Sequence, residues 1–135
     1  MNAPEEPKPR ILIVDDEPDL LTVLRFGLEA EGFEVMQAGD GEQGLALARQ
    51  ALPDLMVLDL MLPRMDGYKV CRALKFDERY KSIPIFILSA RSGDTDRRLA
   101  LEMGADEVHT KPYDMRTLVN SIRARLEQRE DRAAA

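Results

Sequence analysis

This 135-residue sequence predicts a doubly wound α/β fold, a five-stranded parallel sheet with helices on both faces. Three observations predict it. Short, β-branched-rich apolar runs alternate with amphipathic stretches along most of the chain. The strongest runs lack polar alternation, the pattern of strands buried on both faces, as in parallel sheets. Strict β–α alternation requires right-handed crossovers, which wind a single sheet in both directions.

The elements follow in order. Ile11-Leu12-Ile13-Val14 is too short for a helix and reads as the first strand. Leu20, Leu24 and Leu28 lie four apart, with Leu21 beside them; Pro18 suits the first turn of that helix and Gly32 stops it. Residues 33–36 make a weaker strand. Leu45 and Leu47 sit among alanines in a second helix. Asp54-Leu55-Met56-Val57-Leu58 is the third strand, preceded by Pro53. Val70, Cys71 and Leu74 mark the third helix. Residues 83–88 form the fourth strand, with Pro84 near its start, where proline is tolerated. Leu99 and Met103 mark a fourth helix that ends at Gly104. Residues 106–110 are a weaker fifth strand, and Leu118, Val119, Ile122 and Leu126 make the stripe of the last helix.

Composition narrows the function classes. Net charge is −6, so a general phosphate-backbone footprint is absent, and no direct nucleic-acid binding by this domain is expected. No apolar run approaches the ~20 residues that span a bilayer, and the acidic, Pro-rich start is not a signal peptide. With one cysteine, Cys71, no internal disulfide is possible. A cytoplasmic protein with no membrane partner is expected. Residues 1–9 read as a flexible lead, 10–127 as the folded domain, and 128–135 as a frayed helix end or linker stub.

Ligands of open parallel sheets bind beyond the carboxyl ends of the strands. Asp15 and Asp16 follow the first apolar run, Asp59 the third, Ser89 the fourth, and Lys111 the fifth strand. Parallel strands would gather these at one edge. Three close carboxylates repel one another, and a divalent cation relieves that repulsion. Hard oxygen donors suit Mg2+, which often bridges to phosphate. A carboxylate nucleophile that accepts a phosphoryl group fits better than an acyl-transfer triad, for which no His-Ser or Cys-His pair is visible.

The ordered set resembles the receiver domain of two-component response regulators. Ile11 to Glu17 is similar to the family's opening strand and acidic pair. Asp59-Leu60-Met61-Leu62-Pro63-Arg64-Met65-Asp66-Gly67 is similar to its phosphorylation loop. Ser89-Ala90, Gly104-Ala105-Asp106 and Thr110-Lys111-Pro112-Tyr113 complete the resemblance, which covers roughly residues 10–126. It implies the flavodoxin-like strand order 2-1-3-4-5. It implies a signalling switch rather than an enzyme that turns over substrate. Asp59 would be the phosphoacceptor. Asp15, Asp16, Asp59 and the Met61 backbone carbonyl would hold Mg2+, and Lys111 and Ser89 would meet the phosphoryl group. Ala90 would leave that site open, and the Lys111–Pro112 bond would be cis. The donor would be a sensor histidine kinase or a phosphotransfer protein. The fourth helix from Arg91 onward, the fifth strand and the last helix would signal to a downstream output domain or protein, or form a homodimer on phosphorylation.

Two positions depart from the pattern. Val108 stands where the family usually carries Tyr or Phe, so a ring cannot report activation, and His109 replaces an apolar residue. Val108 leaves open an alternative, a phosphorylation-independent pseudo-receiver that binds partners. A Mg2+-dependent phosphatase is disfavoured, because Met61 stands where a second acid would be needed. His109 reads as packed structure. Asp66-Gly67 reads as a turn that shapes the loop. Gly39-Asp40-Gly41-Glu42-Gln43-Gly44 is formally a dinucleotide-binding G-x-G-x-x-G. Its acids oppose a pyrophosphate and it follows the second strand, so it reads as a turn in which Asp40 caps the second helix.

Overall fold

In the computed structural model, which describes residues 7–62, 64–89 and 94–134, strands and helices alternate strictly. They are β1 (Arg10–Val14), α1 (Pro18–Ala30), β2 (Glu34–Ala38), α2 (Gly41–Ala51), β3 (Leu55–Asp59), α3 (Gly67–Lys75), β4 (Ile85–Ser89), α4 (Asp94–Glu102), β5 (Glu107–Thr110) and α5 (Met115–Ala134). The sheet order is β2-β1-β3-β4-β5. Every pairing is parallel, which is the doubly wound arrangement expected. Ala90, Arg91 and Pro63 lie outside the described residues, as do residues 1–6 of the lead.

The expected elements all form, with shifted ends. β4 begins at Ile85 because Pro84 has no N–H to donate to a ladder, although its carbonyl still accepts from Met56 N at 2.9 Å. β2 runs on to Ala38, paired with Val14. β3 starts at Leu55, since the Asp54 carboxylate instead accepts from Arg10 N at 2.8 Å. Gly32 (φ +92) and Gly104 (φ +102) adopt the left-handed backbone that ends α1 and α4. α5 continues through Ala134, across the stretch read as a helix end or linker.

Apolar strands need a hydrophobic layer on each face, and both are present. Leu12, Val14, Met56, Leu58, Ile85 and Ile87 pack under α2, α3 and α4. Ile11, Ile13, Leu55, Val57, Phe86 and Leu88 pack under α1 and α5. The period-2 alternation is thus real, but apolar on both sides. Cys71 lies in the first layer, fully buried, as a small core hydrophobe.

Candidate functional site

Parallel pairing carries all the candidate residues to one edge. Asp15 follows the last residue of β1, Asp59 and Ser89 end β3 and β4, and Lys111 follows β5. Backbone bonds extend the ladders to that edge: Leu60 N to Leu88 O at 3.1 Å, and Lys111 N to Ser89 O at 2.7 Å. Among the described residues, the buried polar or charged side chains are Asp15 (6% exposed), Asp59 (7%) and Ser89 (2%). A protein does not bury carboxylates without a compensating partner, and here two of them meet at the same place.

Lys111 Nζ lies 3.4 Å from Asp15 Oδ2 and 3.5 Å from Asp59 Oδ1. Asp15 Oδ1 accepts from Glu17 N at 3.0 Å and Asp59 Oδ1 from Met61 N at 3.3 Å. Carboxylate oxygens of Asp15, Asp16 and Asp59 all lie within 4.8 Å of one another. One cation faces three acids. Burial, and then the Asp15 charge, raise the Asp59 carboxyl above its ordinary value, against the pull of Lys111 and the Met61 N–H. Burial and the Asp15 charge also raise the Tyr113 phenol. Three hard oxygen donors with excess negative charge fit Mg2+.

The acids could have served only as helix caps, as Asp40 and Asp66 do. Asp40 accepts from Gln43 N at 2.7 Å to cap α2, and Asp66 from Lys69 N at 3.0 Å to cap α3. The residue at the α1 cap position is instead Glu17, whose side chain makes no capping bond. Asp15 and Asp16 are therefore left to the site.

Gly67 shapes the loop after β3 more tightly than a turn signal indicates. A Cβ there would stand 2.8 Å from the Asp59 carbonyl oxygen and 2.9 Å from Leu60 Cα, so the loop folds back onto the end of β3. The Lys111–Pro112 bond is cis, as the resemblance implied. His109 lies away from the cluster, stacked on Phe86 (centroids 5.6 Å apart) with Nε2 3.1 Å from Glu107 Oε1. Val108 packs against the layer under α4. Tyr113 was not singled out as a site residue, because its proximity to Asp15 arises from the fold and leaves no local pattern.

The response regulator receiver domain profile matches residues 11–123. The chain belongs to the response-regulator receiver family. This receiver domain is 45% identical over 124 residues to the DNA-binding dual master transcriptional regulator RpaA of Synechocystis, covering 92% of this chain and 51% of that protein. It is 46% identical over 125 residues to the DNA-binding response regulator MtrA of Mycolicibacterium smegmatis, covering 93% and 54%. The chain thus spans about half the length of these curated relatives. Among solved structures, a CheY-like response regulator receiver domain from Methanospirillum hungatei superposes with a TM-score of 0.87 at 28% identity, covering 93% of this chain and 99% of the other. Receiver domains are signalling switches, and the expected fold and family are both met. Among the described residues, no helix is long and apolar enough to cross a membrane.

Proposed function

We propose that this receiver domain is a phosphoacceptor whose Asp59 takes a phosphoryl group from a sensor histidine kinase or a phosphotransfer protein, with Mg2+ as cofactor. The observation that carries the reading is Lys111 Nζ held 3.4 Å from Asp15 and 3.5 Å from Asp59, at the centre of the buried acids. An Asp59 carboxylate oxygen attacks phosphorus. The O–P bond forms as the N–P bond to the donor imidazole breaks, and the leaving imidazole takes up a proton. Asp15, Asp16, Asp59 and the Met61 carbonyl would hold the metal, which supplies positive charge for the transferring oxygens. The groove lined by Leu20, Val23, Pro112, Tyr113 and Met115 adjoins Lys111 and offers apolar surface to such a donor protein.

Phosphorylation adds about −1.5 to −2 charge and strong acceptor oxygens. The Ser89 hydroxyl can then donate to a phosphoryl oxygen, and Lys111 meets a further anion. Only such differential contacts can shift the domain between two states. The readout is the face of α4, β5 and α5, directed to an output domain or to homodimerisation, without an aromatic ring at Val108. The receiver unit comprises residues 10–127, flanked by the lead 1–9 and the tail 128–135, in a cytoplasmic setting. Val108 favours a second reading, phosphorylation-independent partner binding, whose signature is partner affinity unchanged by phosphorylation.

The test is intact mass after incubation with Mg2+ and a small acyl phosphate donor, then with a histidine kinase. One phosphoryl adduct is expected, absent without Mg2+ and absent in Asp59→Asn. No adduct from either donor overturns the reading.

A further inference from the structure

The glycine-rich stretch at the start of α2 touches the loop after β3 and the end of β1, the two segments that lead to the acids. A Cβ on Gly41 would overlap the Met65 carbonyl oxygen and stand 2.8 Å from the Met65 carbonyl carbon. A Cβ on Gly44 would stand 2.9 Å and 3.0 Å from the two Val14 methyls. Met65 belongs to the loop after β3, the loop of Met61; Val14 immediately precedes Asp15. Residues three apart share a helix face, so one turn of α2 rests on the loop after β3 and on the last residue of β1, which leads directly into Asp15. Neither glycine is among the residues with positive φ, so it is close approach and not backbone conformation that requires them.

The turn itself is firmly built. Asp40 caps it through Gln43 N at 2.7 Å, and Gln43 Oε1 reaches back past the N-cap to accept from Gly39 N at 3.0 Å, a close relative of the capping box. The same loop after β3 leans on it through Arg64, which sits at φ +69 with its guanidinium 3.8 Å from Asp40 Oδ2 and 3.7 Å from Glu42 Oε2. Those exposed ion pairs are weak on their own. The backbone contact at Gly41 is what fixes the spacing.

We propose that Gly41 and Gly44 are positioning residues for the metal site: the first turn of α2 gauges the loop of Asp59 and Met61 against the loop of Asp15 and Asp16. This rests on the reading of those carboxylates as a Mg2+ site. A side chain at Gly41 must push the Met65 carbonyl away, and the Met61 carbonyl would move with it. The nearest neighbours of a methyl at Gly44 are side-chain atoms of Val14 and not backbone, so its effect on the loop is smaller.

Calorimetric titration of Mg2+ alone into the full chain tests this. Gly41→Ala is expected to weaken Mg2+ binding about tenfold, the scale seen when groups that orient metal ligands are lost, with helix content by circular dichroism unchanged. Gly44→Ala is expected to weaken it less, and adding Val14→Ala to that variant to restore it, which a purely structural glycine would not show. Amide hydrogen exchange on the unsubstituted chain is a companion measurement that needs no variant to fold. Mg2+ is expected to slow exchange at residues 40–44 as well as around Met61. A folded Gly41→Ala that binds Mg2+ like the unsubstituted chain overturns the proposal, as does exchange at 40–44 that ignores Mg2+ while the amides around Met61 respond. An unsubstituted chain that binds no Mg2+ removes the metal reading itself, and this proposal with it.

Discussion

The sheet carries a lysine–aspartate pair at each of its two edges, and the two are opposites. At the amino edge, Lys75 Nζ lies 3.0 Å from Asp106 Oδ2 and donates to Ile83 O at 3.0 Å. The same Asp106 oxygen accepts from Ile85 N at 2.8 Å. One cation meets one anion, both are hydrogen-bonded to backbone, and α3 is tied to the starts of β4 and β5. At the carboxyl edge, Lys111 reaches two acids at the longer distances of 3.4 Å and 3.5 Å while a third stands by. The first pair is satisfied and holds the fold. The second is left short of positive charge, which is the state a cation and then a phosphoryl group can exploit.

Breaking the amino-edge pair is expected to give the largest effect. Asp106→Ala leaves Lys75 without its anion and Ile85 N without an acceptor, a loss of about 3 kcal/mol in urea unfolding. Mg2+ is expected not to restore it, and the folded fraction keeps its phosphoryl uptake. Lys111→Met is expected to cost less, about 2 kcal/mol near neutral pH. It leaves the buried acids unneutralised, so Mg2+ recovers part of the loss. A Lys111→Met protein that ignores Mg2+ would erase the contrast between the edges.

Asp59→Asn is expected to do the reverse and stabilise the metal-free protein, raising Tm near neutral pH by roughly 3 °C. The sign follows from linkage. The Asp59 pKa is raised above its ordinary 3.8 in the folded protein. The folded state therefore binds more protons than the unfolded chain between those values, and stability falls as pH rises through that window. The full cost is present above the raised value, so the advantage of Asn must vanish below about pH 3.8. Thermal melts across pH check this. The smallest effect belongs to Cys71, one turn from Lys75, whose thiol burial pushes up to about 12. No alkylation of the native protein is expected near pH 8, where a neutral buried thiol is inert, and Asp106→Ala should make it measurable by loosening that edge.

Much of this was legible in the sequence because it is local. Apolar runs and hydrophobic spacings mark most of the strands and helices, and the acids Asp15, Asp16 and Asp59 follow or end such runs. The ordered acids, Ser89 and Lys111 carried the family. What was not legible depends on contacts between distant segments. Lys75 and Asp106 lie 31 residues apart, and no local pattern pairs them. Gly41 against Met65 leaves no period, so the stretch 39–44 yielded only a turn and a cap. Pro84 shifted the start of β4 because a missing N–H matters only once a neighbouring strand is in place.

The imbalance at the carboxyl edge is tested most directly by titrating the Asp59 carboxyl carbon by NMR in the full chain, with and without Mg2+. The expected midpoint lies above 3.8 without metal and moves down when Mg2+ is added. A midpoint at or below 3.8 that does not respond to Mg2+ would contradict the account, because the Asp59 carboxylate would then be fully compensated without a metal.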